Sequence, residues 1–257
     1  MLQEMLIILL ECSLSMSVLI LLLLALIPWL SRRYAAKWLY CTWLVIALGL
    51  LVPFRFHPAA PLIKMSVVPS SFQRIIAEIP ENSAGLPVAA GTPVHHHVSA
   101  LSLPQLLFFL WSAGSVVFLL KNIWKHHRFL AMVRRWGKEV KDPETLNLLS
   151  RIKEEMGIAG QVDLLICPCV TSPMMIGFYH PAVLLPRVNF SPHELSLVLR
   201  HELVHLKRRD LWYKCLVLLA TALHWFNPLV YLMGREIDTW CEISCDAEVV
   251  KGENLEE

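Results

Sequence analysis

Four apolar runs divide the sequence. The first, Cys12–Leu30 (CSLSMSVLILLLLALIPWL), shows no polar period and is long enough to cross a bilayer core of about 30 Å. No small-residue cleavage site follows it, so it is expected to be retained as a span, with Glu11 at the headgroup level. Arg32, Arg33 and Lys37 separate it from a second run, Trp38–Phe54, and a third runs from Leu101 to Leu120. Lysine and arginine cluster between the first two runs and again after the third, in KNIWKHHRFLAMVRRWGKEVK. Both clusters belong on the cytoplasmic side, which predicts an N-terminus outside. Residues 57–100 are then an external loop, rich in Pro, Ser and Ala and without helical or strand period. Its His95, His96 and His97 read as a solvated tract rather than a metal site. The Trp and Phe residues among the cations after the third run predict a helix leaving the membrane along the interface.

From Pro143 the pattern changes. Pro143–Met156 reads as a helix stopped by Gly157, and the short runs VDLLICP and MMIGFYHPAVLLP read as two or three strands. In NFSPHELSLVLRHELVHLKRRD, residues 189–210, Ser191, Pro192 and Glu194 are the N-cap, first position and capping-box acid of a helix. The fourth apolar run, residues 211–234, would place everything after it outside if it crossed the membrane once. Its Asn227-Pro228 break predicts instead two short half-helices, a re-entrant or interfacial hairpin. The expected division is a membrane domain, 1–123, and a cytoplasmic-facing domain, 124–257, that includes the hairpin.

Composition agrees with a membrane protein. The 257 residues are 56% hydrophobic and 17% charged, with a mean hydropathy of +0.52, too apolar for an ordinary soluble domain. A formal net charge of +2 gives no reason to expect nucleic-acid binding. The seven cysteines, odd in number, read as reduced buried thiols rather than a disulfide framework. Cys167 and Cys169 with Cys241 and Cys245 do not have the usual spacing of a zinc finger.

The chemistry is concentrated at His201, Glu202 and His205. Two histidines four apart on a helix lie about 40° apart around its axis and can hold one metal ion. Glu202, about 100° round, can reach a water at that ion without displacing it. This HExxH pattern points to a zinc peptidase, and a catalytic zinc normally takes a third protein ligand. Trp240–Val250 supplies the candidates: Glu242 and Asp246 are again four apart, so that one can bind the metal while the other orients a ligand. Glu236, Asp238 and Glu248 read as acids on a wet face. His180, Tyr231 and Arg235 are possible oxyanion donors, none compelling.

HELVHLKRRD at 201–210, the FNP break at 226–228, the ending Glu242, Cys245, Asp246 and the Pro173–Pro186 stretch together resemble the membrane-embedded metallopeptidases of the BlaR/MecR type, the antibiotic sensor-transducers. The resemblance covers most of the chain. It implies a mainly α integral membrane protein: three transmembrane helices, a re-entrant hairpin, and a small α+β gluzincin-like zinc peptidase domain on the cytoplasmic side. It also implies zinc held by His201, His205 and Glu242, with Glu202 as general base and Asp246 supporting the site. The implied substrate is a cytoplasmic transcriptional repressor, the chain itself, or both, cut when an external signal arrives. The implied partners are that substrate, the lipid bilayer and a second copy of the chain. Members that sense β-lactams carry a further span and an external penicillin-binding domain after the peptidase part, whereas this sequence ends at Glu257. Ser150 and Lys153 match S-x-x-K formally but have no S-D-N or K-T-G partner, and read as surface residues. Rival expectations are a non-proteolytic receptor or scaffold with a structural zinc site, and a transporter using Glu11, Lys214 and His224.

Overall fold

A computed structural model describes residues 2–52, 102–186 and 190–253. The expected external loop, with its three histidines, lies outside them. Residues 2–52 and 104–253 belong to one unit. It contains α1 (Leu2–Leu30), α2 (Ala36–Leu51), α3 (Leu103–Trp136), β1 (Lys138–Glu139), α4 (Pro143–Glu155), β2 (Asp163–Ile166), β3 (Met174–Ile176), β4 (Ala182–Leu185), α5 (Pro192–Arg208), α6 (Asp210–Leu223) and α7 (Pro228–Glu253). The chain is mainly helical, with one small sheet.

Among the described residues, α1 and α3 are the two helices long and apolar enough to cross a membrane. Most of their apolar surface is uncovered by protein; Leu110 and Val117 of α3, for example, are each 63% exposed. The second expected span corresponds to α2, whose 16 residues reach about 24 Å, short of a hydrocarbon core of about 30 Å. The third differs more. No Gly or Pro interrupts residues 115–136, and the helix continues past residue 120 to Trp136 as one element of 34 residues. Residue 123, the expected domain boundary, therefore falls inside α3.

At one end of this rod Trp111 meets the link between α6 and α7; its indole N–H donates to the Leu223 carbonyl at 2.9 Å. At the other end Val133 and Phe129 pack on the sheet with Cys167, Val170 and Leu184. The strand order is β1-β2-β4-β3. β2 and β4 are parallel, with Asp163 opposite Ala182, while β1 and β3 pair antiparallel to their neighbours. All four residues of β4 are buried because both sheet faces are covered: Val183 and Leu185 meet Leu149 and Ile152 of α4 and Leu199 and Leu203 of α5, and Leu184 meets the end of α3. This leaves β3 at the edge. Cys167 and Cys169 are joined in a disulfide, which corrects the expectation of reduced thiols throughout; the two side chains are adjacent at the turn after β2, where a two-residue separation allows closure.

The fourth apolar run folds as a helical hairpin, α6 out and α7 back, broken at Asn227-Pro228. The second arm is not a short half-helix: α7 runs through Gly234 to Glu253, 26 residues, and carries the Trp240–Val250 segment on the same rod. Asn227 caps it, accepting from the Leu229 N–H at 3.0 Å, and donates from Nδ2 to Ser13 and Ser17 of α1 at 2.9 and 2.7 Å. α1, α2 and α7 share one apolar core of Ile20, Leu23, Trp43, Ala47, Val230, Met233 and Ile237.

Candidate metal centre

α5 begins as expected. Ser191 caps it, Pro192 opens it, and the capping box with Glu194 is closed in both directions. Its buried stripe, Leu199, Leu203 and Val204, fixes the rotation that turns His201 and His205 toward α7. There three donor atoms converge: His201 Nε2 and His205 Nε2 lie 3.1 Å apart, and Glu242 Oε2 lies 3.2 and 3.5 Å from them. Each ring has a carboxylate on its other nitrogen. His201 Nδ1 faces Asp246 Oδ1 at 3.0 Å and His205 Nδ1 faces Asp210 Oδ2 at 2.8 Å. Those partners take the proton on each Nδ1 and aim both Nε2 atoms at Glu242. Two ring nitrogens and a carboxylate oxygen at such distances need a proton or a metal cation among them. Donors bound about 2.0–2.1 Å from a tetrahedral ion stand about 3.3 Å apart, and the triangle has that size.

The titration tendencies follow the same arrangement. Burial works against charge on His205, but hydrogen bonds to Asp210, Cys241 and Glu242 outweigh it and raise its pKa to about 11. Hydrogen bonding to His201 and His205 holds Glu242 below the usual carboxylate range. A bound cation would take the proton's place between the same groups. Glu202 is buried, and burial pushes its carboxyl above its ordinary range against the pull of His205 and His201. It lines the same cleft of about 1060 Å³, whose walls include Met174, Met175 and Phe178 beside β3, Leu197 of α5, Trp212 of α6 and Val250 of α7. None of His180, Tyr231 and Arg235 lines that cleft; Tyr231 donates its hydroxyl to the Trp225 carbonyl at 2.8 Å.

Sequence reasoning assigned nothing to Asp210. It is 1% exposed and reaches His205 because Arg209 ends α5 in the left-handed region, φ 59, so that α6 starts at once and swings Asp210 back beneath the ring. Left-handed helix ends normally use Gly or Asn, and an arginine there left no signal. The Sγ atoms of Cys241 and Cys245 flank the pair, 3.4 and 3.8 Å from Asp210 Oδ2. These two thiols, Asp210 and His205 Nδ1 form a second group of potential ligands, but the short nitrogen-to-carboxylate contact there is that of a direct hydrogen bond.

Residues 7–257 match the family described as BlaR1 peptidase M56. Regulatory protein BlaR1 of Bacillus licheniformis is 33% identical over 155 residues, which are 60% of this chain and 26% of that protein. The methicillin resistance MecR1 protein of Staphylococcus aureus (strain Mu50 / ATCC 700699) is 32% identical over 85 residues, 32% of this chain and 14% of that protein. The chain thus matches about a quarter or less of the length of these curated relatives. With a family match along nearly its whole length, the chain belongs to the BlaR1 peptidase M56 family of metallopeptidases.

Proposed function

We propose that this protein is a membrane-bound zinc endopeptidase of a signal-transduction system that cuts a cytoplasmic transcriptional repressor, itself, or both. The observation that carries this is the donor triangle of His201, His205 and Glu242, with the buried Glu202 in the same cleft. When bound, zinc supplies the Lewis acidity that brings a water's pKa toward about 7 and polarises a peptide carbonyl. Glu202 takes the proton from the attacking water and returns it to the leaving amine, a task suited to a carboxyl whose pKa burial has raised. Asp246 and Asp210 hold His201 and His205 with their Nε2 lone pairs toward the metal. A structural zinc site is closed by four protein ligands, whereas this triangle is open toward the cleft. That difference favours hydrolysis over a scaffold.

The edge strand β3 offers unpaired backbone groups beside His201, and an extended substrate can add to it as a further strand. For the membrane, α1 and α3 are read as crossing segments and α2, shorter than the hydrocarbon core by itself, as a third, with the N-terminus outside. The charge of the 31–37 loop and the basic end of α3, which carries the sheet, support a site facing the cytoplasm. Glu202→Ala is the test: the variant retains zinc while cleavage of a repressor or of the chain falls about 10²- to 10⁴-fold. Undiminished cleavage by that variant overturns the mechanism.

A further inference from the structure

α2 reaches the metal centre through Tyr40. Tyr40, 3% exposed, donates its hydroxyl to Asp210 Oδ1 at 3.1 Å, and the other oxygen of the same carboxylate accepts from His205 Nδ1 at 2.8 Å. The two contacts are in series: phenol to carboxylate, carboxylate to imidazole, imidazole to metal position. The phenol is itself held. Arg208 lies 4.9 Å over its ring and ties back through Nη1 to Ser244 on α7 at 2.7 Å, while Tyr213 meets the ring edge-on at 6.1 Å.

The other end of α2 is also fastened to the hairpin, because His224 donates from Nε2 to the Leu50 carbonyl at 3.1 Å. α2 is an uninterrupted helix between these points, and the rise from Tyr40 to Leu50 is about 15 Å. It is a rod with one end at Leu51 and the other on the carboxylate that orients a metal ligand. A slide or rotation of α2 draws the phenol off Oδ1; Asp210 keeps Arg208 Nε at 3.5 Å from that oxygen and the Cys241 thiol at 3.4 Å from Oδ2 but loses its hydrogen bond to α2, and the direction in which His205 presents Nε2 shifts with it.

We infer that Tyr40 is a positioning residue: through Asp210 it holds His205 in its metal-binding orientation, and so makes metal retention depend on the position of the apolar helix α2. This rests on His201, His205 and Glu242 being the metal ligands. Partners one bond behind a ligand typically change metal affinity about 10- to 100-fold.

The experiment is zinc affinity, measured by chelator competition on the full chain in detergent, for wild type, Tyr40→Phe, Asp210→Asn and the double variant, with Tyr213→Phe as control. Cobalt(II) replaces zinc in a parallel set, so that its visible absorption reports ligand geometry. Phe keeps the ring, its packing and the arginine contact, and removes only the hydroxyl. Tyr40→Phe is expected to weaken zinc binding about tenfold or more and to shift the cobalt spectrum, with Tyr213→Phe at wild-type values. The double variant should be no weaker than Asp210→Asn alone, because the hydroxyl acts through that carboxylate. Wild-type affinity and spectrum in Tyr40→Phe overturn the inference and leave the ligand set intact; additive losses in the double variant overturn it as well. A wild-type chain that binds no zinc overturns the ligand set itself.

Discussion

Gly177 tests whether β3 is the strand on which substrate is held. It sits at the end of β3 with φ 87, and a Cβ placed there would lie 2.1 Å from the His180 carbonyl oxygen and 3.0 Å from its carbon. Both obstacles are backbone of the same turn, so no side chain can step aside. An alanine costs about 1–2 kcal/mol for the left-handed backbone and a further 1–3 kcal/mol, roughly, for the overlap. β3 is three residues long, and its few ladder bonds contribute about 1 kcal/mol each. The turn therefore opens and β3 loosens from β4, while His201, His205 and Glu242 stay on α5 and α7. Gly177→Ala should retain zinc and the thermal stability of the helical part but lose at least about tenfold in kcat/KM on a peptide substrate, the loss coming through KM. The assay is cleavage of a fluorogenic peptide at several concentrations, with zinc content measured on the same preparation. An unchanged kcat/KM refutes β3 as the docking edge; loss of zinc refutes the independence of turn and metal centre.

Two further outcomes follow from the donor triangle. Wild type should carry roughly one zinc per chain, read by elemental analysis in detergent, and His201→Ala and Glu242→Ala should each lose it; full retention in Glu242→Ala would place the third ligand elsewhere. Zinc binding should also strengthen with pH. His205, with a pKa near 11 in the metal-free protein, holds a proton throughout the neutral range that zinc must displace, so affinity rises about tenfold per pH unit for each proton released, and a titration between about pH 6 and pH 8 that shows a flat affinity contradicts this.

What could be read from the sequence was local. His201, Glu202 and His205 lie within five residues of one capped helix, so the helix period alone sets their relative directions. Glu242 and Asp246 required only a second helix facing the first, and α7 brings both to the histidines. Asp210 depends on a break in the backbone at Arg209 that no Gly or Asn advertises, and Tyr40 meets it from 170 residues away. That α3 runs unbroken past residue 120 was illegible for a different reason. A change from apolar to basic residues marks where a helix leaves the membrane, but it is not a helix breaker, and nothing between residues 115 and 136 has the backbone chemistry of one.

The hairpin shows how a buried break can be tolerated. A single helix through residues 211–234 would satisfy every backbone group from within, and the Asn227-Pro228 interruption forfeits that. The loss is made good by side chains at the far end of the bundle from the metal centre. The Trp111 indole covers the Leu223 carbonyl, Asn227 caps α7 and engages Ser13 and Ser17, and the indole N–H of Trp225 reaches the Trp111 carbonyl at 3.2 Å. Trp225 lies where only Gly114 leaves room; a Cβ there would be 2.3 Å from the indole. α1, α2 and α3 each contribute a partner to the turn, which leaves the buried Nδ1 of His224 unpaired, and α7 returns from it. That return sets Glu242 against His201 and His205, so the polar residues scattered through the apolar helices assemble the metal centre at a distance, by deciding where the chain turns back.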